Sequence, residues 1–396
     1  MSKEKVLVVG GGFGGVKAAL DLAHDDHYEI TLLSNDLDLK YYPTLYRTAT
    51  GTSKANSAIP LKSIFSHTNV DIKEGTAKTL DRKAKTITTE SGDIYSYDYL
   101  ILALGVVTNY FGIPGLDEFS YGIKSQEEVK RFKDHLHQQL THDHRPDLNY
   151  VIVGAGPTGI ELAGALPGYL KKIMKNHSIP EKNIHIDIVE AMPRLLPNLP
   201  AGVSRSVKKQ LDKLGIKLFL NSKVEGETAD ALTVNGKPIK SHTVIWTAGV
   251  TNNPFFKENN FVLMGRGKVG VNAYLETEPG IYVIGDNANT PYSGLAQTAI
   301  HDGAFVAENL KHKARNKKLS SYKVVAPISV IPSGPRWAVV LWGHIYFQGL
   351  LGYLLREAAD IRGFKDLEPW SGAIKQYLSE FSEQEDCNVC SVYSSK

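Results

Sequence analysis

Short apolar, β-branched runs alternate along this chain with longer segments in which apolar residues recur every three or four positions, the pattern of parallel strands covered by helices. The first run, Val6-Leu7-Val8-Val9, stops at Gly10-Gly11-Gly12-Phe13-Gly14-Gly15, and the periodicity predicts a helix over 16–23 and a strand over 29–33. A second copy begins at Tyr150-Val151-Ile152-Val153, turns through Gly154-Ala155-Gly156-Pro157-Thr158-Gly159, continues as a helix over 160–166 and returns as a strand over 184–189. Further strands are predicted at 243–246 and 281–284. The latter is closed by Gly285-Asp286 and followed by a helix from Leu295 to about Leu310.

Gly10-x-Gly12-x-x-Gly15 and Gly154-x-Gly156-x-x-Gly159 each follow a strand and open a helix. In this spacing the first glycine permits the tight turn, the second lets a pyrophosphate approach the backbone, and the third allows close helix packing. The phosphate then meets a helix N-terminus, whose N–H groups and dipole favour negative charge. The expected fold class is therefore α/β with two Rossmann-like dinucleotide-binding domains. The units differ at the end of their second strand, where the first has Ser34-Asn35 and the second has Glu190. A carboxylate there accepts hydrogen bonds from a ribose 2′-hydroxyl and repels a 2′-phosphate, which favours NADH over NADPH; Arg194 tempers that choice.

Composition narrows the partners. With 45 Lys and Arg against 42 Asp and Glu over 396 residues, the net charge of +3 gives no basic bias of the kind nucleic-acid binding requires. Gly10 to Gly12 interrupt the first apolar run too early for a secretory signal core, so none is expected. Both cysteines, Cys387 and Cys390, lie in the tail, which argues against a disulfide framework and for a reducing compartment; no metal site is expected.

Together with the segments Tyr99-Leu100-Ile101-Leu102-Ala103-Leu104-Gly105, Val244-Ile245-Trp246-Thr247-Ala248-Gly249 and Ile281-Tyr282-Val283-Ile284-Gly285-Asp286, the two glycine turns make the chain resemble the two-dinucleotide-binding-domain flavoproteins. In that group the N-terminal unit binds FAD and an inserted unit binds NAD(P)H. The resemblance implies an FAD-binding domain over 1–112 and 256–325, an inserted NADH-binding domain over 113–255 and a C-terminal module over 326–396. It implies FAD contacts from Gly10, Gly12, Phe13, Gly14, Gly15, Ser34, Ala103, Gly105, Asp286, Ala296 and Gln297. NADH contacts are implied for Gly154, Gly156, Thr158, Gly159, Glu161, Glu190, Ala248 and Gly249.

Disulfide-reducing and sulfide-oxidising members use cysteines next to the flavin, and residues 1–386 contain none. Electrons are therefore expected to leave directly to a diffusing acceptor. Glu190-x-x-x-Arg194-x-Leu196-Pro197, the run Thr158 to Gly164 and Ala296-Gln297-Thr298-Ala299-Ile300-His301 resemble most closely the type II NADH:quinone oxidoreductases, single-subunit enzymes that pump no protons. The family's second glutamine in that last motif is His301 here, and Ala165 replaces a common glutamate. By this resemblance Gln297, His301 and Glu161 are the candidate catalytic residues. Two other readings stay open: a soluble NADH-dependent reductase of a ferredoxin-like carrier, and an NADH-sensing flavoprotein similar to the apoptosis-inducing-factor group.

Three of the four tryptophans fall after residue 326. The segment from Trp337 to Leu355 is expected to be a strand at Val339-Val340 and then an amphipathic helix rather than a membrane span. Phe347, Leu350, Leu351, Leu354, Ala358 and Ile361 form its apolar stripe, with Arg356, Glu357 and Asp360 opposite. A second such helix has Ile374, Tyr377, Leu378 and Phe381 on one side and Lys375, Gln376, Ser379 and Glu380 on the other. Such helices suit a peripheral anchor on the cytoplasmic side of the cell membrane, where a quinone is reached; packing within the chain or across a homodimer is the alternative.

Overall fold

β-Branched runs bounded by glycine form parallel sheets here because a strand buried on both faces can carry apolar side chains in both directions. The computed structural model describes residues 3–142, 147, 149–180, 183–367 and 370–379, so Glu380, Phe381, Cys387 and Cys390 lie outside the described residues. Two compact units are present. One comprises Met1–Lys40, Ala58–Val107 and Val250–Pro327, and the other Tyr41–Ser57, Thr108–Gly249 and Ile328–Lys396.

In the first unit a six-stranded sheet has the order Glu276–Glu278, Ile281–Val283, Tyr99–Leu102, Glu4–Val9, Tyr28–Ser34, Asp71–Glu74, parallel except at the first pair. Leu7, Val9, Leu33, Leu100, Leu102 and Val283 join Phe255, Phe256 and Phe261 in one core. The helices Phe13–Leu22 and Ala296–Ala314 cross at two glycines. A Cβ on Gly303 would come within 2.3 Å of the Gly14 carbonyl oxygen.

The second unit repeats the arrangement with four parallel strands in the order Lys217–Phe219, Ile186–Val189, Tyr150–Val153, Thr243–Trp246. The helix expected over 160–166 runs from Pro157 to Asn176, continuing through Pro167, and buries Ile160, Leu162, Ala163, Leu166, Leu170 and Ile173. An antiparallel sheet of Ser329–Pro332, Ala338–Trp342 and Ile345–Gly349 leads, at Gly349 with φ +74°, into the helix Leu350–Lys365. Phe347, expected on that helix, is instead paired with Val340 on the preceding strand.

In helix Leu350–Lys365 the two faces sit the other way round from a helix on a core. Leu350, Leu351 and Leu354 are 61%, 53% and 57% exposed, whereas Arg356 and Asp360 are 2% and 6% exposed. Gly352, Arg356, Asp360 and Phe364, four residues apart, form the buried stripe. In the following helix, Trp370–Ser379, Ala373 is buried and Ile374 and Leu378 face outward. Among the described residues no helix is long and apolar enough to cross a membrane.

Candidate functional site

The two glycine turns share one geometry, each within its own unit. Gly10 and Gly154 have φ of +116° and +108°, a region side chains disfavour, and each donates its N–H to the second strand, at Leu33 and Val189, over 2.8 Å. A Cβ on Gly15 would lie 2.0 Å from the Gly10 carbonyl oxygen, and one on Gly159 2.0 Å from that of Gly154. Around a Cβ built on Gly12 or Gly156, by contrast, no atom lies within 4 Å. These middle glycines open onto space while the outer two are locked by backbone. Both helices start with Gly12 or Gly156 as N-cap, with no side chain capping the turn and no acid in it. Phe13 is buried, Gly14 packs near the Ala299 carbonyl, and Thr158 is exposed at the second helix start.

Strand register makes Ser34 and Glu190 equivalent, since Val9 pairs with Leu33 and Val153 with Val189, one residue earlier in each unit. Ser34 turns inward, its Oγ donating to the Asp36 carbonyl at 2.7 Å and filling the space beside Gly11. Glu190 instead accepts from the Ala155 N–H at 2.7 Å and the Met192 N–H at 2.9 Å, so its carboxylate is held at the rim of the glycine turn. Arg194 does not reach outward. Its guanidinium donates to the carbonyls of Leu196, Pro197 and Leu199 and to Ser204 Oγ, which commits it to the loop after the strand.

Beside the first turn, Ala103 donates to the Val9 carbonyl at 2.8 Å, and its carbonyl oxygen stands 2.2 Å from where a Gly10 Cβ would be. Gly105 is in the left-handed region, and its N–H and carbonyl are both satisfied by the amide of the fully buried Asn287. Asp286 lies between Gly285 and Asn287 in a single helical turn, and its charge acts on Lys268. That turn is fastened by Asp302, which accepts from the Gly285 N–H at 2.9 Å and from Tyr322 Oη at 2.6 Å. Burial raises the Asp302 pKa, and these two bonds work against the rise. In the second unit Thr247 Oγ1 donates to the carbonyls of Val153 and Gly154, setting Ala248 against the turn, and Gly249 leaves room for Phe111.

Helix Ala296–Ala314 begins at Leu295 without a side-chain cap, placing Ala296 and the exposed Gln297 at its N-terminus. His301, one turn further on, donates through Nε2 to the Lys323 carbonyl at 2.9 Å. Glu161 lies on Pro157–Asn176, two residues past Gly159. Burial, and secondly the Asp360 carboxylate, raise its pKa well above the carboxylate range. Asn287, Asp302 and Gly303 carried no signal in the sequence, because each acts on a partner distant in the chain.

The family model for pyridine nucleotide-disulphide oxidoreductases matches residues 4–303, a span containing both glycine turns. The chain belongs to that family. Among curated relatives, a type II NADH:quinone oxidoreductase from Mycobacterium tuberculosis, NdhA, is 26% identical over 90% of this chain and 86% of its own length. Another, from Staphylococcus saprophyticus, is 25% identical over 91% and 95%. The structure of NDH2 from Plasmodium falciparum in complex with NADH shares the fold at a TM-score of 0.86 and 18% identity, covering 96% of this chain and 98% of that one. The resemblance to type II enzymes read from the motifs is thus the one these relatives carry. Within that matched span, the turns at Gly12 and Gly156 each offer uncapped N–H groups and an approach unobstructed by side chains.

Proposed function

We propose that this protein is a type II NADH:quinone oxidoreductase, which oxidises NADH through bound FAD and reduces a membrane quinone without pumping protons. The observation that carries the reading is the pair of alike glycine turns, open at Gly12 and Gly156, with a carboxylate held at the rim of the second and a serine at the equivalent place in the first. The flavin supplies a hydride acceptor that hands on two electrons. Gly10, Gly12, Phe13, Gly14, Gly15 and Ser34 would hold it, with Ala103, Gly105 and Asp286 shaping the turns beside it. The uncapped start of the helix at Ala296 and Gln297 would aim N–H donors at negative charge built up on reduction.

Gly154, Gly156, Thr158 and Gly159 would take the NADH pyrophosphate, Ala248 and Gly249 would line the turn, and Glu161 would border the nicotinamide end. Glu190 would accept from the adenosine ribose. With Arg194 turned into its own loop, no guanidinium of this strand end competes for a 2′-phosphate. His301 would orient the segment at Lys323 that borders its helix.

The outward leucines of Leu350–Lys365, with Ile374 and Leu378, support peripheral contact with the cytoplasmic face of a membrane, the quinone's reservoir. A second copy of the chain on the same stripe would make a homodimer. Three measurements test the assignment. Gly156→Ala should abolish bleaching of the flavin by NADH with flavin still bound, Gly12→Ala should weaken flavin retention, and Glu190→Arg should shift preference toward NADPH. Unaltered coenzyme preference in Glu190→Arg contradicts the ribose role.

A further inference from the structure

Phe111 stands in the second unit at a place that folding alone does not explain. It is a large apolar side chain that remains 62% exposed, and its backbone lies in the left-handed region at φ +55°. Gly112 follows at φ +67°, and the Ile113 N–H donates to the Tyr110 carbonyl over 3.0 Å, so Phe111 and Gly112 are the centre of a tight turn with positive φ at both positions. Asparagine or glycine suits such a position, whereas a phenylalanine there is strained and gains little burial in return. The turn is nevertheless firmly held. The Asn109 N–H donates to the Gly249 carbonyl at 3.1 Å, Trp246 Nε1 to the Asn109 carbonyl at 3.0 Å, and the Phe111 N–H to Asn109 Oδ1 at 2.8 Å. The phenyl ring meets Trp246 edge to face, with centroids 6.3 Å apart, and lies over Gly249, where a Cβ would come within 2.5 Å of it.

We propose that Phe111 is a further coenzyme-binding residue, whose exposed ring carries the nicotinamide of NADH. The proposal rests on the reading of this unit as the NADH site given above. Strand order supplies the direction. With the pyrophosphate at the turn after Tyr150–Val153 and the adenosine ribose at Glu190, after Ile186–Val189, the rest of the coenzyme extends over the strand on the opposite side, Thr243–Trp246. That strand runs on into Thr247, Ala248 and Gly249. Thr247 Oγ1 donates to the Gly154 carbonyl at 3.2 Å, and a Cβ on Gly154 would come within 2.9 Å of Ala248 Cα, so the strand end adjoins the glycine turn. The side chain standing over this strand end, at Gly249, is Phe111. A planar nicotinamide stacks on an aromatic face, and the positive charge it acquires on oxidation is attracted to the same face. The ring thus has its use at the reductant end of the coenzyme, and the absence of a side chain at Gly249 gives it room to lie there.

The test measures binding, without turnover, to the full flavin-loaded chain in its oxidised form. NAD+ and ADP-ribose, which differ only in the nicotinamide group, are each titrated by calorimetry. Phe111→Gly and Phe111→Asn remove the ring and suit the backbone of this turn, so Tm should hold or rise in both. In each variant Kd for NAD+ should increase about tenfold while Kd for ADP-ribose stays within about twofold of the parent value. Phe111→Tyr, which keeps an aromatic face, should bind NAD+ as the parent does. Equal loss of both ligands, as a ring that only wedged the turn would give, or no change for either, overturns the role of Phe111. A parent that binds neither ligand overturns instead the reading of this unit as the NADH site.

Discussion

Two helices of the same unit, Pro157–Asn176 and Leu350–Lys365, obey opposite rules. The first buries Ile160, Leu162, Leu166 and Leu170 and is held by apolar contact over the parallel sheet. The second turns Arg356 and Asp360 inward and leaves Leu350, Leu351 and Leu354 outside. Apolar period identifies a helix in both cases, but the inner face is set by what the neighbours offer. Arg47 and Glu357 make burial of charge tolerable for the second helix, since a buried pair is stable only while every member keeps its partner. Its outward leucines are left exposed among the described residues.

The largest effect that should break this contrast is Arg356→Ala. It strands Glu357 and Asp360 without their nearest cation and should cost about 3–5 kcal/mol in denaturant unfolding. Gly159→Val attacks the apolar helix where it meets its strand. A side chain 2.0 Å from the Gly154 carbonyl must move backbone, for an expected loss of about 2–4 kcal/mol together with NADH binding.

Glu227 sharpens the comparison, because it is a buried carboxyl of this unit whose hydrogen-bond partner is Ser120 and not an arginine. Burial pushes its pKa up to about 7 from an ordinary 4.5, opposed by that bond. The folded chain thus keeps a proton that the unfolded chain releases, and stability declines as pH rises from about 4.5 to 7, with the penalty complete above that. Glu227→Gln should accordingly raise stability at pH 8 by roughly 1–3 kcal/mol and leave it unchanged near pH 4.5, as read from Tm at the two pH values. The smallest effect on stability belongs to Leu350, Leu351 and Leu354. Their joint replacement by serine should change folding by less than about 0.5 kcal/mol per site while abolishing sedimentation with anionic lipid vesicles. Unchanged vesicle binding would remove the membrane role from this face.

What could be read from the chain follows the same division. Gly10, Gly15, Gly154 and Gly159 were legible because their requirement is local: positive φ, or a backbone too near for a Cβ. Ser34 and Glu190 were placed correctly at equivalent strand ends because register follows from the paired runs before them. Arg194 looked available to a phosphate, and only the folded loop reveals the carbonyls that occupy it. Asn287 beneath Gly105 and Asp302 beneath Gly285 are separated from their partners by 182 and 17 residues, so no spacing announces them. The helix expected over 160–166 runs on through Pro167 to Asn176, because its apolar face stays buried along the whole length.

The central claim is best tested by mixing the flavin-containing protein with NADH and then with a soluble quinone analogue, without oxygen, while following flavin absorbance. The account predicts prompt bleaching by NADH and recovery at catalytic rates on adding quinone. Bleaching that persists with quinone but reverses with a small iron–sulfur carrier protein, or protein that takes up no flavin, would contradict it.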